Sequence, residues 1–96
     1  MEKPKIEING MEIEPAEKIS VNTWRKVMEL ESKYKTIQPL ELVDGISGAL
    51  AEVYKVSAEE IMNSLEVDEL VSKYFEVYEY LIYLLFSKVQ PTKQAE

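Results

Sequence analysis

The segment from Tyr80 to Phe86 is the feature that most constrains the fold, because every one of its residues is apolar or aromatic. It lies within a predicted helix that runs from about Asp68 to Val89 and ends before Pro91. The main apolar stripe of this helix is Leu70, Val71, Tyr74, Val77, Tyr78, Leu81 and Leu85. Its polar line is thin and consists of Glu76, Glu79 and Ser87. A helix that is apolar nearly all round must be covered on most sides.

The length of the chain limits how much of this helix can be covered. With 96 residues and a mass of 11.1 kDa, the chain should form a single domain, 1–96, with one modest core. Such a core could bury about two of the three sides of the helix. We therefore predict that the remaining side binds a partner or a second copy, although burial of the helix wholly within its own bundle stays open. The predicted interface residues are Tyr74, Tyr78, Leu81, Ile82, Tyr83, Leu85 and Phe86.

The N-terminal residues 5–14 predict a β-hairpin. Apolar and charged residues alternate on both sides of Asn9-Gly10, and these two residues supply the positive φ angles of a type I′ turn. A two-residue loop places Ile6 opposite Ile13 and Ile8 opposite Met11, giving one apolar face. An isolated hairpin is marginally stable in water, so this face should pack on the helices or pair with another chain.

Three more helices are predicted between the hairpin and the last helix. The first begins at Ser20 or Asn22, runs to about Ile37, and carries Trp24 as the expected anchor of the core. The second runs from Pro39 to about Tyr54. Residues Gly45 and Gly48 make this second helix small-sided, which favours close packing inside the domain over a hinge.

The third of these helices is predicted from its cap. Ser57 and Glu60 have the spacing of a capping box, in which each side chain accepts a hydrogen bond from the other residue's amide. Val56 and Ile61 occupy the positions of a hydrophobic staple, and the helix should end near Leu65. The fold class is therefore α+β and mainly α: a hairpin, a helical bundle over 21–89, and a flexible tail over 90–96.

Composition disfavours several classes of function. The chain has no cysteine and no histidine, which removes the commonest metal ligands, nucleophiles and proton carriers, and no catalytic motif is present. We expect no enzyme activity, no metal and no cofactor. A net charge of −7 repels nucleic acid and anionic membranes. No signal peptide or membrane-spanning run is found, and the expected function is protein binding.

The order of motifs resembles the small tail assembly chaperones of long-tailed bacteriophages and prophages. The motifs that carry the resemblance are an isoleucine-alternating strand into Asn9-Gly10, Met11-Glu12-Ile13, the helix opening Ser20-Val21-Asn22-Thr23-Trp24-Arg25-Lys26 with Met28-Glu29-Leu30-Glu31, Leu42-Val43-Asp44-Gly45, Ser57-Ala58-Glu59-Glu60-Ile61 and Leu65-Glu66-Val67-Asp68-Glu69-Leu70. Together they extend over most of the chain.

The resemblance implies a protein of the host bacterial cytoplasm that is absent from the finished particle. Such a chaperone coats the long, aggregation-prone tape measure protein and helps tail tube protein to polymerise around it. Its expected partners are thus the tape measure protein, the tail tube protein and further copies of itself. Two alternatives stay open: a structural tail or virion interaction module, and an acidic inhibitor that mimics nucleic acid. Mimicry would require acidic residues on one surface, whereas here they are spread along all elements.

Overall fold

A computed structural model of the protein describes residues 1–89 and confirms the α+β, mainly helical fold. The predicted tail over 90–96 lies outside the described residues. Two short strands precede four helices. In chain order the elements are β1 (Ile6–Ile8), β2 (Met11–Ile13), α1 (Val21–Lys33), α2 (Pro39–Tyr54), α3 (Ala58–Ser64) and α4 (Val67–Val89).

The hairpin has the register that the turn predicts. Ile6 pairs with Ile13 and Ile8 pairs with Met11, and both turn residues, Asn9 and Gly10, have positive φ. The isoleucines of β1 are buried, and β1 lies against α3. Met11, however, is 67% exposed, so the predicted apolar face is incomplete. The hairpin packs through β1, and β2 forms its outer strand.

The helix boundaries follow from local caps. The Ser20 hydroxyl accepts a hydrogen bond from the Thr23 amide at the start of α1. Ser57 and Glu60 form both hydrogen bonds of the predicted capping box at α3. The predicted end of α1 near Ile37 is wrong, since the helix ends at Lys33 and continues as turns. The next helix begins at Pro39, and the residue before a proline disfavours the helical conformation. The first helix therefore has to end several residues before Pro39.

The core forms where α2 packs against α1, α3 and α4. Its largest fully buried side chains include Tyr74, Ile46, Leu50, Ile61 and Leu81. The anchor predicted from sequence, Trp24, lies instead at the edge of the core and is only partly buried. Its position is explained by a polar contact, because the indole Nε1 donates a hydrogen bond to the carbonyl oxygen of Leu81 at 3.2 Å.

Polar contacts also join α1 to α2. The Thr23 hydroxyl donates to a carboxylate oxygen of Glu52 at 2.9 Å, and the Lys26 ammonium pairs with the other oxygen. Close approach of the two helices occurs at Gly45, where an added Cβ would lie 2.6 Å from a methyl carbon of Leu30. The prediction of close packing is therefore confirmed at Gly45. An added Cβ at Gly48 would have no neighbour within 4 Å.

Candidate interaction surface on the last helix

The last helix, α4, carries two apolar stripes with the same spacing. The inner stripe, at successive steps of four and three residues, is Leu70, Tyr74, Val77, Leu81 and Leu84. Its first four members are buried and Leu84 packs partly against the core. The outer stripe, shifted by one residue, is Val71, Phe75, Tyr78, Ile82 and Leu85. A shift of one residue turns a helix by about 100°, so the two stripes face different directions.

Two of the residues predicted for the interface belong to the core. Tyr74 and Leu81 are both 0% exposed, so their assignment to an accessible interface is wrong. The Tyr74 hydroxyl is also occupied, since it donates to the carbonyl oxygen of Val27 at 2.6 Å. The sequence pattern could not separate these residues from the outer stripe, because both stripes are apolar and have equal spacing.

The other predicted residues lie on the accessible side of α4. Tyr78 and Ile82 are partly buried, whereas Tyr83, Leu85 and Phe86 are 44%, 41% and 49% exposed. We call these five residues the terminal patch. Exposed apolar side chains are common singly, but several together on one helix mark a candidate interaction surface.

The terminal patch is exposed because of how α1 lies on α4. Trp24 contacts the backbone at Leu81, while Tyr34, just after the other end of α1, packs edge-on against Phe75 at a centroid distance of 5.4 Å. The two helices are therefore antiparallel. Trp24 lies at Leu81, and only one turn of α1 precedes Trp24. Little of α1 is therefore available to cover the part of α4 that follows Leu81. The end of α4 thus leaves the bundle with three exposed apolar residues.

Charges beside the outer stripe are mainly acidic. Asp68 and Glu79 lie along its outer flank: Asp68 is three residues before Val71, and Glu79 is four residues after Phe75 and three before Ile82. Lys73 pairs with Glu76 at 3.0 Å. Glu79 makes no ion pair with a described residue, although Lys3, Lys5 and Lys73 line the same groove as Glu79.

A further carboxylate approaches from α1. Burial raises the pKa of the Tyr74 hydroxyl, and the negative charges of Glu31 and Tyr78 raise it further. Glu31 lies one turn after Val27, whose carbonyl oxygen accepts from Tyr74, and one turn before Tyr34, which packs against Phe75, so it lies close to the junction of α1 and α4. Acidic side chains therefore lie on both sides of the apolar outer stripe, and lysines share the grooves on the side of the hairpin.

Other grooves on the described part of the molecule do not have the side chains of a binding or metal site. One groove lies between the hairpin, the end of α3 and α4, and is lined mostly by polar and charged side chains, among them Glu12, Asp68 and Lys73. Across residues 1–89, no three acidic side chains converge as ligands of a metal ion would. The candidate site is therefore the outer stripe together with the terminal patch.

Sequence reasoning identified the apolar excess of α4 but missed its division into two stripes. The signal was present: the residues at 71, 75, 78, 82 and 85 are all apolar or aromatic, with alternating steps of four and three. The sequence of α4 alone does not determine which of the two equivalent stripes faces the core. That choice depends on where α1 and α2 pack.

Among the described helices, none combines the length and the apolar content that a membrane-spanning segment needs. Comparisons with known proteins add no assignment, because no protein-family model, curated protein or solved structure matches this chain significantly.

Proposed function

We propose that this protein is a phage tail assembly chaperone that binds the tape measure protein and assists assembly of the tail tube. The observation that carries the proposal is the apolar end of α4, where Tyr83, Leu85 and Phe86 are each at least 41% exposed. A holding chaperone needs such a surface for segments that would otherwise aggregate. The motif order that resembles tail assembly chaperones supplies the partner's identity.

The charge of the molecule supports the same proposal. The whole chain carries a net charge of −7. Repulsion between complexes that carry this acidic chain opposes their precipitation. A second copy of the chain is the other occupant that the sequence predicts for this surface. Association with tail tube protein belongs to the proposal as well, as a step that follows binding of the tape measure protein.

Co-expression tests the proposal. The tape measure protein of the same genome is expressed with this chain, with Phe86→Asp, or with Met62→Asp, whose residue is 44% exposed on α3. We expect the wild-type chain and Met62→Asp to keep the tape measure protein in the soluble fraction and to purify with it, whereas Phe86→Asp does not. Unchanged insolubility with the wild-type chain, and no recovered complex, would contradict the proposal.

A further inference from the structure

The outer stripe has the same residue spacing as the inner stripe, through which α4 packs in its own domain. The inner stripe packs against α1 and α2, whereas the outer stripe is only partly buried from Val71 to Ile82 and is 41% exposed at Leu85. Apolar residues at alternating steps of four and three form the seam along which two helices pack at a small crossing angle of about 20°. The outer stripe therefore has the geometry to receive one more helix.

The dimensions of the stripe define the segment that fits. From Val71 to Leu85 the helix rises about 21 Å at 1.5 Å per residue, which corresponds to about four turns of a partner helix. Tyr34 borders the stripe at Phe75, so the most accessible part extends from Tyr78 to the end of the patch. A partner with apolar residues at heptad positions over about two heptads would match it.

The charges beside the stripe favour one class of partner. Asp68 and Glu79 lie on one margin, in grooves that hold more acidic than basic side chains. On the other margin Glu31 lies on α1 between Val27, whose carbonyl oxygen accepts from Tyr74, and Tyr34, which packs against Phe75. Pairing of two copies along this stripe would bring together two chains that each carry −7 and would set like charges beside each other. A helix with lysine or arginine beside its apolar stripe would meet complementary charge instead.

We propose that the outer stripe binds an amphipathic helix with basic flanks, supplied by another protein. The inference deepens the proposed function, on which it rests for the identity of that protein. It specifies that the bound segments of the tape measure protein are those whose apolar heptads are bordered by lysine or arginine. A helix with acidic flanks should be rejected.

Two synthetic peptides test the inference with the full chain. Both are helical, about three heptads long, with leucine at the a and d positions, and they carry either lysine or glutamate at the flanking positions. Fluorescence anisotropy of the labelled peptides measures binding. We expect the lysine peptide to bind at least about tenfold more tightly than the glutamate peptide at low salt, with the difference shrinking as salt is added.

Charge reversal locates the site. Glu79→Lys should weaken binding of the lysine peptide by about tenfold and strengthen that of the glutamate peptide. Glu59→Lys is the matched control, because it makes the same change of charge on an exposed residue of α3 and should have little effect. Ile82→Asp should abolish peptide binding, and Met62→Asp should preserve it, with circular dichroism verifying that each variant is folded.

The outcomes separate this inference from the proposed function. Equal affinity for the two peptides, or equal effects of Glu79→Lys and Glu59→Lys, would overturn the basic-flank inference. Absence of peptide binding together with a dimer that Ile82→Asp dissociates would overturn it too, by identifying a second copy as the occupant. If the lysine peptide binds as expected but the tape measure protein stays insoluble on co-expression, the inference holds and the proposed function fails.

Discussion

At the scale of single residues, Ser47 is a polar group in an apolar setting. Its side chain is fully buried in α2, and its hydroxyl has no hydrogen-bond partner among the described residues. We expect Ser47→Ala to raise the free energy of unfolding by about 1 kcal/mol, because it removes an unsatisfied buried hydroxyl and improves helix propensity. Urea unfolding measures the change.

The control for this substitution is Ser72→Ala, which alters an exposed serine of α4 and gains helix propensity alone. A gain at Ser47 no larger than the gain at Ser72 would show that the buried hydroxyl costs nothing.

Glu52 makes the junction of α1 and α2 sensitive to acid. Hydrogen bonds from Lys26 and Thr23 lower the pKa of its carboxyl group below the usual value. The stability it contributes is therefore fully present above the unfolded pKa of about 4.3 and is lost as pH falls through the folded pKa. Because 38% of its side chain is exposed, screening limits the contribution to about 1 kcal/mol at most.

Glu52→Gln tests this contribution, since glutamine keeps an oxygen that can accept from Thr23 but loses the pair with Lys26. Thermal unfolding at pH 7 should show the variant to be slightly less stable than the wild-type chain. At pH 3 the difference should shrink. A difference that is constant or grows on acidification would contradict the role given to this carboxylate.

At the scale of elements, the two glycines of α2 should respond differently to substitution. Gly48→Ala should stabilise the protein by about 1 kcal/mol, because alanine is the better helix former and its Cβ meets no neighbour within 4 Å. Gly45→Ala should gain less or destabilise, since Leu30 must move to accommodate a Cβ at 2.6 Å. Denaturant unfolding of both variants makes the comparison, and equal gains would argue against close helix packing at Gly45.

The elements that sequence predicted well are those fixed by local chemistry. Asn9-Gly10 determines the hairpin register, and the Ser57 box determines the start of α3, because each depends on residues a few positions apart. The end of α1 was missed, because it depends on the start of the next helix. The exposure of Met11 was also missed, since only contacts from distant elements decide which positions of the hairpin are covered.

The candidate site also shows that a pattern within one helix does not determine which residues are buried. Sequence placed Tyr74 and Leu81 beside Ile82 and Leu85 in one interface, because all four are apolar residues of one helix. Their separation into core and surface requires the positions of α1 and α2, which no pattern within α4 contains. The prediction that α4 has more apolar surface than its bundle covers holds for Tyr83, Leu85 and Phe86.

At the scale of the whole molecule, a single helix has a buried side and a more exposed apolar side. Its inner stripe stabilises the domain, since Tyr74, Val77 and Leu81 are fully buried. Its outer stripe lies at the edge of that core, where Phe75 and Tyr78 pack partly against it, and Tyr83, Leu85 and Phe86 are exposed. Because the two surfaces lie on the same helix yet face different directions, substitutions can remove one without the other.

Leu81→Asp and Phe86→Asp make this separation measurable. Leu81→Asp puts an unpaired charge into the core and should cost more than about 3 kcal/mol, enough to unfold much of so small a domain. Phe86→Asp replaces a residue that is 49% exposed, and should leave the circular dichroism spectrum and melting temperature nearly unchanged while binding of the partner is lost. If Phe86→Asp instead unfolded the chain, the end of α4 would be part of the core, and a surface whose removal destroys the fold could not be a separate binding site.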